Sequence, residues 1–145
     1  MIELIISDTN DSQLYRAIAQ ELRRSGHAVH FTIIANEANQ LACWLRSVGF
    51  DVSHRILTGR VSLVTHWLGV RSHLRTLRPQ VVACLGQKAT LIGFSAALGI
   101  RHTRRLYVRH HSTSHRETNN YRGLIYDRLS NRLADHIIAT SQNIL

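Results

Sequence analysis

The sequence predicts a doubly wound α/β fold with a mostly parallel sheet. Apolar periodicity alternates between strand-like runs and helix-like stripes from one end of the chain to the other. The helical stretches are about ten residues or longer, so successive strands are joined by crossovers rather than hairpins. Short continuous apolar runs such as Val81–Leu85 suit strands covered on both faces. At 145 residues with 44% hydrophobic content, the chain is the length of one domain, 1–145, and has enough apolar residues to build a core.

Each element has its own signal. Ile2–Ser7 is a short apolar run. It has no basic flank and breaks after six residues, so it reads as a buried strand and not as a signal peptide. Asp11 or Ser12 caps a helix with Leu14, Ile18, Ala19 and Leu22 on one face and Gly26 as its stop. Ala28–Ile34 is the second strand. Asn36 to Val48 is helical, with Leu41, Trp44, Leu45 and Val48 at helical spacing, and Phe50–Leu57 is a weaker third strand. Val61–Leu77 is the longest helix, with Leu63, Trp67, Val70, Leu74 and Leu77 forming a core-facing stripe. Pro79 ends it and introduces the strand Gln80–Leu85. Gly86 turns into a helix over Ala89–Leu98, and Leu106–Arg109 is strand-like. A helix opening at Asn119 or Asn120 runs through Leu133, and His136–Ala139 is the last strand. Thr140–Leu145 reads as a strand end, an N-cap Ser141 and a first helical turn, so the chain is expected to be the front half of a longer protein.

Lys and Arg number 18 against 9 Asp and Glu, a net charge of +9, and Lys88 is the only lysine. An arginine-rich surface suits anionic partners: nucleic acid, a phospholipid surface or phosphorylated substrates. Coding bias toward Arg gives the same composition without a partner. Cys43 and Cys84 lie within apolar patterns at no metal-like spacing and read as free buried thiols of a reducing cytoplasm.

In an open α/β sheet, ligands bind at the carboxyl ends of the strands near the topological switch point. The loops there are Asp8–Ser12, Asn36, Thr58–Arg60, Gly86–Lys88, His110–Thr118 and Thr140–Ser141. The first has no glycine, so the dinucleotide fingerprint is absent. Asp8 and Asn10 pair an acceptor with a donor for sugar hydroxyls, or form a capped, solvated turn. Gly86-Gln87-Lys88 does not meet the P-loop pattern. What remains is a helix N-terminus with one Lys, a generic anion site or a simple turn.

The stretch from Tyr107 to His115 is the richest in chemistry. His110 leaves a strand end behind Arg109, whose guanidinium can pair a phosphate. No metal ligand set is recognised: His110, His111 and His115 lack Cys or carboxylate partners at a known spacing. His27, His30, His54 and His102 have no partners in sequence and read as surface or packed residues. No nucleophile elbow occurs, and Glu3, Glu21, Glu37 and Glu117 are scattered.

Several segments together carry a family resemblance. They are Leu22-Arg23-Arg24-Ser25-Gly26-His27-Ala28-Val29, Arg78-Pro79-Gln80-Val81-Val82-Ala83, Arg109-His110-His111-Ser112, Tyr121-Arg122-Gly123, Tyr126-Asp127, and Asn131 through Ser141. Over nearly its whole length the chain resembles the N-terminal domain of retaining GT-B glycosyltransferases of the family 4 type. The resemblance implies a Rossmann-like half of a GT-B fold that binds a glycan or lipid-linked acceptor. A nucleotide-sugar donor would be held mainly by a second domain, and no cofactor is implied in this one. His110 would contact the transferred sugar or the leaving phosphate. Arg109 and Gly86–Lys88 would border the acceptor pocket, and Ser141 would start the helix leading to the second domain. Asp8–Asn10 departs from the glycine-rich loop of many members. The donor domain's Glu-x7-Glu motif has no counterpart, since no two Glu lie eight residues apart. The chain alone is therefore expected not to transfer sugar.

Lipid-linked acceptors imply a cytoplasmic protein at the inner membrane face. Arg71, Arg75 and Arg78, near Trp67, could dock anionic headgroups at about 1 kcal/mol each, or form a solvated helix face. Two other functions fit the sequence: a sugar- or nucleotide-binding module that needs a partner chain for chemistry, and a basic nucleic-acid-binding domain. The second lacks the clustered aromatic residues of single-strand binders, so nucleic acid is not the expected partner.

Overall fold

The computed structural model describes residues 1–7, 12–35, 39–56, 59–109 and 121–139. Six strands form one parallel sheet: β1 (Ile2–Ile6), β2 (Val29–Ala35), β3 (Asp51–Ile56), β4 (Val81–Leu85), β5 (Arg104–Arg109) and β6 (His136–Ala139). The helices are α1 (Ser12–Arg24), α2 (Gln40–Ser47), α3 (Gly59–Leu77), α4 (Gln87–Ala97) and α5 (Tyr121–Leu133). The strand order is β3-β2-β1-β4-β5-β6. The chain thus winds outward from β1 in one direction, returns through α3, and winds outward in the other. The expected doubly wound class is the observed one.

Period-2 alternation along the strands sorts the core into two layers. Leu4, Ile6, Phe31, Ile33, Ala83 and Leu85 point to one face, where Tyr15 and Ala19 of α1 and Leu41, Ala42 and Leu45 of α2 cover them. Ile5, Ile34, Val82 and Cys84 point to the other, covered by Val70 and Leu74 of α3 and by Ala89, Ile92, Phe94, Ala96 and Ala97 of α4. Val70 and Leu74 confirm the centre of the expected α3 stripe, and Trp67 packs at its border.

Three local details differ from the sequence expectation. The cap of α2 is Asn39, whose side chain accepts from the amides of Leu41 at 2.8 Å and Ala42 at 3.4 Å; Asn36 lies outside the described residues. Cys43 is exposed and only Cys84 is buried, because α2 turns its Leu41, Ala42 and Leu45 side to the sheet. β5 begins two residues early, at Arg104. The guanidinium and amide of Arg105 grip both oxygens of Asp135 at the start of β6, and the Asp135 amide donates back to the Arg105 carbonyl at 2.9 Å. These bonds hold the Asp135 carboxyl at a pKa of about 2, first through the Arg105 side chain and then through its backbone amide.

Candidate functional site

The order β3-β2-β1-β4-β5-β6 puts the switch point between β1 and β4. α1 packs on one face and α4 on the other, the arrangement that in open α/β sheets gives a ligand crevice at the carboxyl ends of the two strands. Ser7 continues the β1–β4 ladder by donating its amide to the Leu85 carbonyl at 3.0 Å. Its hydroxyl oxygen then accepts from the Ala89 amide at 2.9 Å, fastening the first turn of α4 to the end of β1.

Gly86 makes the turn from β4 into α4 with φ 94° and ψ 153°, a backbone region that side chains with a Cβ rarely enter. As N-cap it supplies no side-chain acceptor, so the positive end of the α4 dipole faces the carboxyl ends of the strands, where Ser7 answers the Ala89 amide. Thr90 closes the turn by donating its amide and its hydroxyl to the Gly86 carbonyl. Lys88 is exposed on this turn, and Gln87 is half-buried. α4 therefore begins at Gln87, two residues before the expected start, because glycine's positive φ allows the strand to enter the helix at once.

Of the residues singled out in the sequence, Gly86, Gln87 and Lys88 lie together at the switch point, and Arg109 closes β5 at the same end of the sheet. Asp8, Asn10, His110 and Ser141 lie outside the described residues. The four residues expected to face a membrane divide into two pairs. Arg75 and Arg78 are exposed. Trp67 and Arg71 instead belong to the α3–α4 seam. The Trp67 indole donates to the Ser95 hydroxyl at 2.9 Å, and Arg71 donates to the carbonyls of Ala96 and Leu98, each at 3.1 Å, with its guanidinium 5.4 Å from the Trp67 ring centre. The open carbonyls at the α4 C-terminus attract the cation, which explains the change from surface to seam. No helix among the described residues is long and apolar enough to cross a membrane.

A second cluster escaped the sequence reading. Glu3 on β1 and His30 on β2 are register partners, and His73 of α3 reaches them from above. Glu3 Oε2 lies 2.8 Å from His30 Nδ1 and 3.6 Å from His73 Nε2. Burial pushes the Glu3 carboxyl up, but the hydrogen bonds to His30 and His73 outweigh it, and its pKa settles below the ordinary value. His30, expected to be without partners, is thus the centre of a polar group inside the fold. Its ligating atoms come from positions 3, 30 and 73, a spacing that no local pattern reveals. The available signal was a carboxylate in the apolar run Ile2-Glu3-Leu4-Ile5-Ile6.

No protein-family model matches the chain, and no curated protein sequence matches it. Solved structures do. MurG of Acinetobacter baumannii superposes with a TM-score of 0.70 at 14% identity, covering 99% of this chain and 42% of that one. The UDP-GlcNAc 2-epimerase of Methanocaldococcus jannaschii gives 0.74 at 15% identity, covering 99% and 40%. HepE of Anabaena in complex with UDP gives 0.73 at 17% identity, covering 99% and 39%. The chain spans about two fifths of the length of these structures. What it shares with them is the fold, that of a Rossmann-like α/β domain of the GT-B type.

Proposed function

We propose that the chain is the acceptor-side half of a retaining, family 4-type GT-B glycosyltransferase. The enzyme would move a sugar from a nucleotide-sugar donor to a glycan or lipid-linked acceptor in a cleft shared with a donor-binding domain. The observation that carries this reading is the switch-point crevice, where the glycine-capped N-terminus of α4 and Lys88 give an electropositive border without a dinucleotide fingerprint. It is supported by relatives of the same fold: HepE was solved with UDP and with UDP-glucose, and MnaA of S. aureus with UDP.

In this reading Gly86–Lys88 and Arg109 border the acceptor pocket, Asp8 and Asn10 meet sugar hydroxyls, and Ser141 leads toward the donor domain. His110 contacts the transferred sugar or the leaving phosphate. Exposed Arg75 and Arg78 are the residues available to an anionic membrane at the cytoplasmic face. Nucleic acid has no part in it.

The test is an assay of the full reading frame that contains this chain, with a panel of nucleotide sugars, for acceptor-dependent nucleotide release. His110→Ala should lower kcat by about 100-fold or more, the range of a lost acid–base or charge-stabilising group, with yield and Tm unchanged. Activity that falls only in proportion to folded protein would overturn the role of His110.

A second reading is favoured by the 2-epimerases, which superpose at TM-scores of 0.74, 0.76 and 0.77. Under it the chain is half of a UDP-sugar epimerase. The same assay separates the two, since epimerisation needs no acceptor. Nucleotide-sugar binding with neither turnover supports the non-catalytic binding module.

A further inference from the structure

We infer that Glu3, His30 and His73 form a site for one divalent transition-metal ion of the Zn²⁺ class, which fastens the crossover helix α3 to the centre of the sheet. The inference is independent of the crevice and of the function proposed for it, because Glu3 sits near the amino end of β1, away from the carboxyl ends that form the crevice.

The first argument is the donor set. Two imidazoles and a carboxylate are a recognised three-ligand zinc set. The three donor atoms are mutually close: Glu3 Oε2 to His30 Nδ1 is 2.8 Å, His30 Nδ1 to His73 Nε2 is 3.2 Å, and Glu3 Oε2 to His73 Nε2 is 3.6 Å. A tetrahedral ion with metal–ligand bonds of about 2.0–2.1 Å separates its ligand atoms by about 3.3 Å, and the observed distances bracket that value.

The second argument is the contact between the two imidazoles: if both donate to Glu3 Oε2, the N–H groups of His30 Nδ1 and His73 Nε2 crowd each other at 3.2 Å. If His30 Nδ1 carries its hydrogen and donates to Glu3, it has no lone pair left to accept from His73 Nε2, which lies 3.2 Å away. If His73 Nε2 carries the hydrogen instead, the lone pair of His30 Nδ1 faces a carboxylate oxygen at 2.8 Å. With neither nitrogen protonated, three lone-pair atoms face one another, and a cation among them satisfies all three.

The third argument is the carboxylate itself. Glu3 is fully buried, and its second oxygen, Oε1, is buried with no hydrogen-bond partner among the described residues. The Thr32 hydroxyl on the same face of β2 is the polar neighbour of this carboxyl and supplies no charge to it. An ionised carboxylate held in a sheet interior calls for a compensating charge.

The outer shell is also in place. The far nitrogen of His30, Nε2, lies 3.3 Å from the Ser53 hydroxyl and 4.0 Å from Asp51 Oδ1 on β3. Metal-bound histidines commonly donate their other ring N–H to such a group, which fixes the tautomer that leaves Nδ1 free to ligate. His73 is about one-fifth exposed, which gives the ion an approach from the α3 side.

The experiment titrates the chelator-stripped 145-residue chain with ZnCl₂, and separately with CoCl₂ while recording the visible ligand-field spectrum. Four variants are compared: Glu3→Gln, His73→Ala, Ser53→Ala, and the triple change of His110, His111 and His115 to Ala. The expected result is one ion per chain, bound with the visible spectrum of a four-coordinate Co²⁺. At a free metal concentration 100 times Kd, the folded-to-unfolded ratio should rise about 100-fold. Ser53→Ala should weaken binding by about 10-fold, as loss of an outer-shell partner does, and His73→Ala by more. Glu3→Gln tests the same point, and His73→Ala, on the partly exposed ligand, keeps the test open if the buried variant does not fold. Binding that is unchanged in His73→Ala, or abolished only by the 110–115 triple change, would overturn the inference. So would the absence of any stoichiometric Zn²⁺ binding by the folded chain.

Discussion

Gly93 and Gly69 lie in the interiors of α4 and α3, and alanine at these two positions should change stability in opposite directions. An alanine Cβ at Gly93 would stand 2.5 Å from Cys84 Sγ and 2.8 Å from Ile5 Cδ1, both fully buried in the sheet. Ordinary contact between such atoms is about 3.5–4.0 Å, so α4 would have to lift by about 1 Å. Overpacking of this kind costs about 1–3 kcal/mol, and the better helix propensity of Ala returns about 1 kcal/mol. At Gly69 the atoms nearest the new methyl belong to the guanidinium of Arg55, the far end of a flexible side chain that can move aside, and the propensity gain of about 1 kcal/mol survives. Gly93→Ala should therefore be about 2 kcal/mol less stable than Gly69→Ala. That difference corresponds to roughly 6–8 °C in Tm for a domain of this size.

Urea unfolding followed by far-UV circular dichroism measures both midpoints at a common m-value. Cys84→Ala should rescue Gly93→Ala, with a favourable coupling of about 0.5–3 kcal/mol across the double-mutant cycle. If Gly93→Ala matches or exceeds Gly69→Ala in stability, the close approach of α4 to β1 and β4 is wrong. The position of its N-terminus at the crevice then falls with it.

Other outcomes follow from single contacts. Ser7→Ala leaves the Ala89 amide at the crevice without its acceptor and should cost about 1 kcal/mol by chemical denaturation, the usual loss for a removed cap. The Asp135 pKa is lowered from 3.8 to about 2 in the folded protein, so its stabilisation is complete above pH 4 and disappears as pH falls through 2. Because the Asp135 side chain is 37% exposed, solvent screening limits the effect to about 1 kcal/mol. The stability gap between the wild type and Asp135→Asn should accordingly shrink as pH falls from 4 toward 2 and vanish below it, and a gap undiminished at pH 2 would refute the assignment. Arg71→Ala should lower stability by about 1–2 kcal/mol, because it removes two hydrogen bonds to the α4 C-terminus. Arg75→Ala with Arg78→Ala should leave stability nearly unchanged while weakening sedimentation with anionic vesicles, and unaltered vesicle binding would remove these two arginines from any membrane contact.

Elements whose signals are local were legible in the sequence. The stripe centred on Val70 and Leu74 and the run His136–Ala139 have the spacing of a half-buried helix and a strand wherever they occur, and the structure reproduces them. That Gly86–Lys88 is one of six loops at the carboxyl ends of the strands also followed from element order, but its position at the switch point needed the strand order β3-β2-β1-β4-β5-β6, which long-range pairing sets. The seam contacts of Trp67 and Arg71 were not legible in the sequence, for a tertiary reason. Their partners are a hydroxyl and two carbonyls on α4, and nothing in α3 itself announces them. Glu3, His30 and His73 were missed for the same reason at longer range, since the register of β1 with β2 and the return of α3 together create the cluster.

The central position of β1 also shapes how the molecule is made. Its second neighbour, β4, begins about eighty residues later in the chain, as the contact between the Met1 amino group and Gln80 illustrates. At a synthesis rate of roughly 5–20 residues per second, β1 waits about 4–16 s for that partner. Throughout this interval one edge of an apolar strand stands open on the ribosome-bound chain. Glu3, the second residue of Ile2–Ile6, breaks this apolar run with a charge, as gatekeeper residues do in aggregation-prone runs. The carboxylate that meets His30 and His73 in the finished sheet is thus also the one charge in the apolar run that has to wait for its partner.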